Sequence, residues 1–241
     1  MAGNHIRIAS SGGGGFDCYV AAPAAAGRVP ALVIMSSVFG VDGDVQGICE
    51  DIAAAGFLAA APDLFWRGDK GPMDRSEDGQ RRARERAADR ERLIEQGVGD
   101  LADTVVALRR RPDCSGRVAV AGLCYGGPYA ILGPVRAGCD AGLSFHGTNV
   151  DGYLADVAKV RGPLVLHWGD EDHAAPPEAL ARVRAATAGM PNAEVVVYPG
   201  VKHGYTARTS PAWNADAAAA SWRRTVAVLK QLRDQAAAAA Q

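Results

Sequence analysis

The feature that most constrains this chain is a series of short apolar runs that scarcely alternate with polar residues. They fall at Phe16–Ala21, Ala31–Ser36, Gly56–Ala61, Arg117–Gly122, Gly142–Phe145, Pro163–Trp168 and Glu194–Tyr198, with a weaker run at His5–Ile8. A strand with one face in water alternates, whereas a strand covered on both faces does not need to. Helical patterns lie between the runs, at about 43–55, 78–111, 126–137, 177–189 and 213–235. Strands interleaved with helices predict βαβ units and a doubly wound, mostly parallel α/β sheet of about seven or eight strands. Only Ala9–Gly15 separates the first two runs, which predicts an antiparallel N-terminal hairpin at one edge. The tetrad Gly12-Gly13-Gly14-Gly15 lacks a following Lys-Ser/Thr and leads into a strand, so it reads as a hairpin turn and not as a phosphate loop. No repeat or linker interrupts the pattern, and residues 1–241 read as a single domain.

Composition narrows the function. The formal net charge is −1, which gives the molecule no basic excess for nucleic acid or an anionic membrane. No run approaches the ~18 apolar residues of a membrane span. The start, Met1-Ala2-Gly3-Asn4-His5-Ile6-Arg7, lacks the pattern of a signal peptide, so a cytoplasmic location is expected. The five cysteines, Cys18, Cys49, Cys114, Cys124 and Cys139, are scattered and form no C-x-x-C pair. They suit neither a disulfide framework nor a zinc site, and no metal or other cofactor is expected. The charged stretch Arg67–Arg92 reads as a solvated loop and helix, with one or two arginines turned toward a site. Ala236–Ala240 reads as a fraying helix end. Neither half of the chain offers an obvious dimer surface, which suits a monomer or weak homodimer.

One cysteine stands in a different context. The run Arg117–Ala121 leads into Gly122-Leu123-Cys124-Tyr125-Gly126-Gly127, a G-x-C-x-G-G sequence at a strand-to-helix junction. A nucleophile elbow needs small residues at such a turn, because the nucleophile adopts a strained backbone. A helix N-terminus aimed at the sulfur favours the thiolate, and the N–H of Tyr125 is placed to serve an oxyanion hole. A base is offered by His203, in Gly200-Val201-Lys202-His203-Gly204-Tyr205 after the last strong run. His146 and His167 sit at strand ends, where a pocket would be lined. Gly169-Asp170-Glu171-Asp172-His173-Ala174-Ala175-Pro176 has the form G-x-x-D-x-x-x-P and selects Asp172 as the acid that orients His203. The order Cys, Asp, His is that of nucleophile, acid and base in α/β-hydrolases.

These motifs resemble the dienelactone hydrolase (carboxymethylenebutenolidase) family. The similarity extends from about Ala31 to the last helix, through Phe39-Gly40-Val41, Ala61-Pro62-Asp63-Leu64-Phe65, Gly97-Val98-Gly99-Asp100-Leu101, the elbow, Asp172-His173 and His203-Gly204-Tyr205. The resemblance implies an α/β-hydrolase fold and cofactor-free hydrolysis of a small ester or lactone, carboxylate-bearing like dienelactone. It implies a catalytic triad of Cys124, Asp172 and His203, with oxyanion N–H groups from Val38 and Tyr125. Two family arginines hold the substrate carboxylate. Counting back from Cys124 places one at Arg82, and the other is Arg208 if one residue is inserted after His203. Tyr205 joins the substrate-binding set. One departure matters. Family members carry a Glu after the third strand that helps generate the thiolate, and Ser37 stands there in Met35-Ser36-Ser37-Val38-Phe39-Gly40. A hydroxyl can bond the sulfur but cannot take its proton at neutral pH. Alternatives are a related carboxylesterase or thioesterase without dienelactone activity, and a non-catalytic ligand-binding protein on the same scaffold, against which the intact triad argues.

Overall fold

Each apolar run becomes a strand. A computed structural model describes residues 3–25 and 27–239. The chain runs β1 (Asn4–Ala9), β2 (Gly15–Ala21), β3 (Val29–Met35), α1 (Gly43–Ala54), β4 (Leu58–Pro62), α2 (Glu77–Arg86) and α3 (Arg90–Arg109). It continues through β5 (Cys114–Leu123), α4 (Tyr129–Arg136), β6 (Ala141–Phe145), β7 (Leu164–Gly169), α5 (Pro177–Thr187), β8 (Ala193–Tyr198) and α6 (Ala215–Ala239). The strands form an eight-stranded sheet in the order β1-β2-β4-β3-β5-β6-β7-β8. β1 pairs antiparallel with β2 and β2 with β4, while the remaining neighbours are parallel. The expected hairpin is present. Its turn is closed by Gly13 N–H to Ser10 O and Ser10 N–H to Gly14 O, with Gly13 and Gly14 at φ 95° and 77°.

The unbroken apolarity of the central strands follows from cover on both faces. Ala31, Val33 and Met35 of β3 and Val118 and Val120 of β5 pack with Ile94, Leu101 and Val105 of α3 and Leu132 of α4. The intervening Leu32, Ile34, Ala119 and Ala121 pack with Ile48 and Ile52 of α1 and Leu229 and Leu232 of α6. Leu32 and Ile34 are fully buried, and each such side chain contributes about 1.5–3 kcal/mol as an upper estimate. No described helix is long and apolar enough to cross a membrane.

Three helical expectations change. The pattern over 78–111 predicts one helix, but Ala87–Asp89 interrupts it, and Asp89 takes φ −86° and ψ 65°, outside the helical region. No Gly or Pro marks this break. The pattern over 126–137 becomes a single 3-10 turn, Cys124–Gly126, followed by α4. A kinked 3-10 segment, Val150–Lys159, carries no strong periodicity and escapes the sequence reading. α6 continues to Ala239, and Ala240 of the expected fraying end lies outside the described residues.

The Asp100 of the G-V-G-D-L motif has a structural use. Its carboxylate has no side-chain exposure and accepts from Arg67 Nη2 at 2.9 Å, Trp66 Nε1 at 3.0 Å and Ser10 Oγ at 3.4 Å. α3, the segment after β4 and the hairpin turn are thereby tied together. At the same, carboxyl end of the parallel strands, β4 and β5 lie on opposite sides of β3. The winding reverses there, and in such sheets the crevice beyond the strand carboxyl ends is where ligands bind.

Candidate active site

Cys124 follows β5 at that crevice. Its φ is 53°, in the left-handed region that a non-glycine residue adopts only under strain. The glycines around it are needed for contact. A Cβ on Gly122 would overlap the carbonyl oxygen of Gly126, and one on Gly126 would overlap that of Met35. The elbow is therefore pressed against both β3 and its own strand. The 3-10 turn begins at Cys124, and the eight-residue α4 starts only at Tyr129. The helix-end field at the sulfur is correspondingly shorter than a continuous helix from 126 would supply.

His203 stands in the loop after β8 and Asp172 in the loop after β7. His203 Nε2 lies 3.0 Å from Cys124 Sγ, and His203 Nδ1 lies 2.9 Å from each carboxylate oxygen of Asp172. Asp172 Oδ1 also accepts from the Ala174 N–H at 2.9 Å. The Asp172 side chain is fully buried and that of His203 is 17% exposed. Burial opposes a charge on His203. The bonds to Asp172 and Cys124 and their negative charges outweigh it, and the His203 pKa rises from 6.5 to about 10. Such a ring can hold a proton taken from the thiol at neutral pH.

Val38 follows β3 and Tyr125 follows Cys124. Neither N–H finds an acceptor among the described residues. Backbone donors without a partner are what an oxyanion hole requires. The carbonyls of the same two residues are held. Arg86 donates to Val38 O from Nε at 3.0 Å and Nη2 at 2.7 Å, and Arg90 Nη2 donates to Tyr125 O at 3.1 Å. The sequence reading expects arginines of this stretch to turn toward the site and names Arg82. The two that reach it are Arg86 and Arg90, which no local motif distinguishes from their neighbours.

The structure brings Cys124, His203 and Asp172 into hydrogen-bond contact, but places several of the other expected residues elsewhere. Arg82 is exposed and makes a bidentate pair with Asp69, at 2.8 and 2.9 Å. Arg208 is also exposed and pairs with Asp51 at 2.7 Å. Tyr205 has no exposure and packs its ring on His146 and Tyr198, so it belongs to the core and cannot line a substrate pocket. Ser37 Oγ turns back to accept from the Phe39 N–H at 3.2 Å, and the described partner of the sulfur is His203.

The remaining histidines divide. His146 follows β6 and sits edge-on to His203, ring centroids 4.9 Å apart, with Nε2 2.8 Å from Thr206 Oγ1. Burial first, then the neighbouring His203, pushes its pKa well below 6.5, so it stays neutral. His167 is buried, its ring packed on Phe145 and Tyr198.

This sheet order, with a cysteine on the elbow after the central β5 and the acid and imidazole after β7 and β8, defines an α/β-hydrolase. More narrowly, the chain belongs to the dienelactone hydrolase family, whose family model matches residues 16–233. A curated protein of Azospirillum brasilense is 33% identical over 236 residues, covering 94% of this chain and 97% of the relative. The carboxymethylenebutenolidase of Pseudomonas sp. (strain P51) is 29% identical over 228 residues, covering 95% of each. Among solved structures, a chain from Klebsiella pneumoniae superposes with a TM-score of 0.81 at 22% identity, covering 95% of this chain and 98% of that one. A dienelactone hydrolase-like promiscuous phosphotriesterase from metagenomic libraries superposes with a TM-score of 0.77 at 20% identity, covering 96% and 99%. Family membership makes the chain a carboxylic ester hydrolase acting on a small molecule.

Proposed function

We propose that the chain hydrolyses a small ester or lactone through a Cys124 thiolate. The observation that carries this reading is the relay from Asp172 through His203 to Cys124, with contacts of 2.9 and 3.0 Å. His203 takes the thiol proton. The thiolate attacks the carbonyl carbon, and the oxygen that gains charge accepts from the Val38 and Tyr125 N–H groups. The protonated ring gives its proton to the departing alkoxide, which in a lactone stays tethered as a hydroxyl. A thioester to Cys124 remains. His203 then removes a proton from water, hydroxide attacks the thioester, and the acid leaves as the sulfur regains its starting state. Asp172 fixes the ring tautomer and supports its charge throughout. Incubation with an activated aryl acetate and mass spectrometry of the quenched protein test this course. A 42 Da adduct on Cys124, absent from Cys124→Ala, is expected; turnover retained by Cys124→Ala would end the reading.

For the substrate class, the observation on Arg82 and Arg208 favours esters without a second carboxylate. Both guanidinium groups are matched by Asp69 and Asp51 and turned outward. The family substrate remains the competing reading, because exposed pairs hold by only about 0–1 kcal/mol and could open for an anion. A panel of small lactones and esters, each with and without a carboxylate, separates the two by the ratio of kcat/KM within each pair.

A further inference from the structure

Arg86 and Arg90 come from the two sides of the α2–α3 break, and each ends on one wall of the crevice. Arg86 spends four hydrogen bonds on backbone carbonyls. Two go to Val38 O, and Nη1 donates to Gly71 O at 2.7 Å and Asp69 O at 2.8 Å. Its guanidinium also lies 4.1 Å over the Phe65 ring. Arg90 Nη2 donates to Tyr125 O, to Thr148 O at 2.8 Å and to Thr148 Oγ1 at 3.0 Å, and the group stacks 4.6 Å from the Tyr125 ring. Thr148 N–H in turn donates to Cys124 O at 2.9 Å. The two residues whose carbonyls are gripped are the two whose N–H groups stand free. Among the described residues neither arginine pairs with a carboxylate, unlike Arg81, Arg82 and Arg92, which surface ion pairs occupy.

We propose that Arg86 and Arg90 are positioning residues: they hold the Val38 and Tyr125 carbonyls, in the peptide units next to those that carry the two oxyanion N–H groups, and so limit the backbone rotation that sets the distance between the donors. This rests on the hydrolytic reading above. Val38 sits in the loop after β3 with no acceptor for its N–H among the described residues; Gly40 N–H to Ser37 O at 3.1 Å holds the peptide before it, and Arg86 holds the peptide after it. Arginine suits the task because its planar fork engages several carbonyl oxygens at once, which an ammonium on a flexible stem does not. The break at Ala87–Asp89 has a use in this light. A continuous helix would carry residues four apart on one face, one turn along the same axis, whereas here Arg86 and Arg90 reach separate loops.

The test separates oxyanion formation from nucleophile strength. Both acylation and hydrolysis of the thioester pass through a tetrahedral oxyanion. Alkylation of Cys124 by iodoacetamide is displacement of iodide at a saturated carbon and has none. Arg86→Met and Arg90→Met should lower kcat on an activated aryl acetate by about 10- to 100-fold, the scale of a misplacement near 1 Å, with KM changed less than threefold. The second-order rate of iodoacetamide alkylation of Cys124 should stay within twofold of wild type. Arg86→Lys, which keeps the charge and one donor and is the gentler change to the fold, should recover only part of kcat. A loss of kcat below threefold in all three variants would overturn the proposal. So would alkylation slowing in step with kcat, since the arginines would then act on the thiol or on overall folding. Failure of the hydrolytic reading itself shows separately, as Cys124→Ala turning over the same ester at the wild-type rate.

Discussion

Two buried aspartates are held in opposite ways. Asp100 and Asp172 both have fully buried side chains. Asp100 meets a guanidinium, an indole N–H and a hydroxyl, and its charge is matched by a permanent cation. Asp172 meets an imidazole, whose charge comes and goes with a proton. One carboxylate is balanced once, at folding. The other stays able to answer a change in its partner, which is the requirement for a group that supports a ring as it gains and loses a proton. Burial alone does not distinguish a structural carboxylate from a functional one; the ionisation range of its partner does.

The largest test removes the atom that the second carboxylate serves. Cys124→Ala should lower kcat by about a million-fold and leave the melting temperature within a few degrees, read by ester turnover and thermal unfolding. Next, Asp172→Asn should lower kcat by about ten-thousand-fold, the scale seen when such a ring loses its orienting acid. Asp100→Asn should do the reverse. Breaking the Asp100–Arg67 pair should cost about 3 kcal/mol, the low end for a buried pair because Arg67 is partly exposed. That corresponds to roughly 6–12 °C in Tm, with kcat on small esters lowered less than about fivefold. Equal activity losses in the two Asp→Asn variants would dissolve the comparison.

A pH series sharpens it further. The His203 pKa is raised in the fold, from 6.5 to about 10. A raised pKa means that the fold binds this proton more tightly than the unfolded chain does. The stabilisation is full below pH 6.5 and is lost as pH rises toward about 10. Denaturant unfolding from pH 6 to 10 should show a decline that Asp172→Asn flattens and Asp100→Asn leaves in place. The smallest expected effect is at Ser37. A carboxylate there adds negative charge near the sulfur, so Ser37→Glu should slow iodoacetamide alkylation of Cys124 near neutral pH by a few-fold. Superimposable rates would mean that position 37, whose hydroxyl now binds the Phe39 N–H, does not influence the thiol.

Much of this was legible in the sequence because it is written in local pattern. Eight apolar runs correspond to eight strands, most clearly for the central β3 and β4, which are covered on both faces and apolar throughout, and least clearly for the exposed edge strand β1. The elbow was legible because backbone contact at Gly122 and Gly126 allows no other residue type. The arginines were not legible. Arg82, Arg86 and Arg90 differ in use only because Asp69 meets the first and carbonyl oxygens meet the other two. Such partners are far along the chain and leave no spacing signal. Counting positions located Arg82 and Arg208 in the sequence, but could not show that each has an aspartate waiting outside the crevice. Tyr205 misled for a related reason: it is near His203 in the chain, yet its ring points into the core.

The positive φ of Cys124 has a consequence for what can replace it. The strain, of order 1–3 kcal/mol, belongs to the backbone of position 124 and is charged to whichever side chain stands there. The contacts that enforce it are made by Gly122 and Gly126 with the carbonyls of Gly126 and Met35, and none involves the sulfur. Position 124 thus behaves as a socket. Serine or alanine would inherit the same φ and nearly the same folding penalty, so exchanging the nucleophile alters reactivity without asking the chain to take a new shape. An elbow of this kind can change its chemistry by one substitution while its architecture stands still.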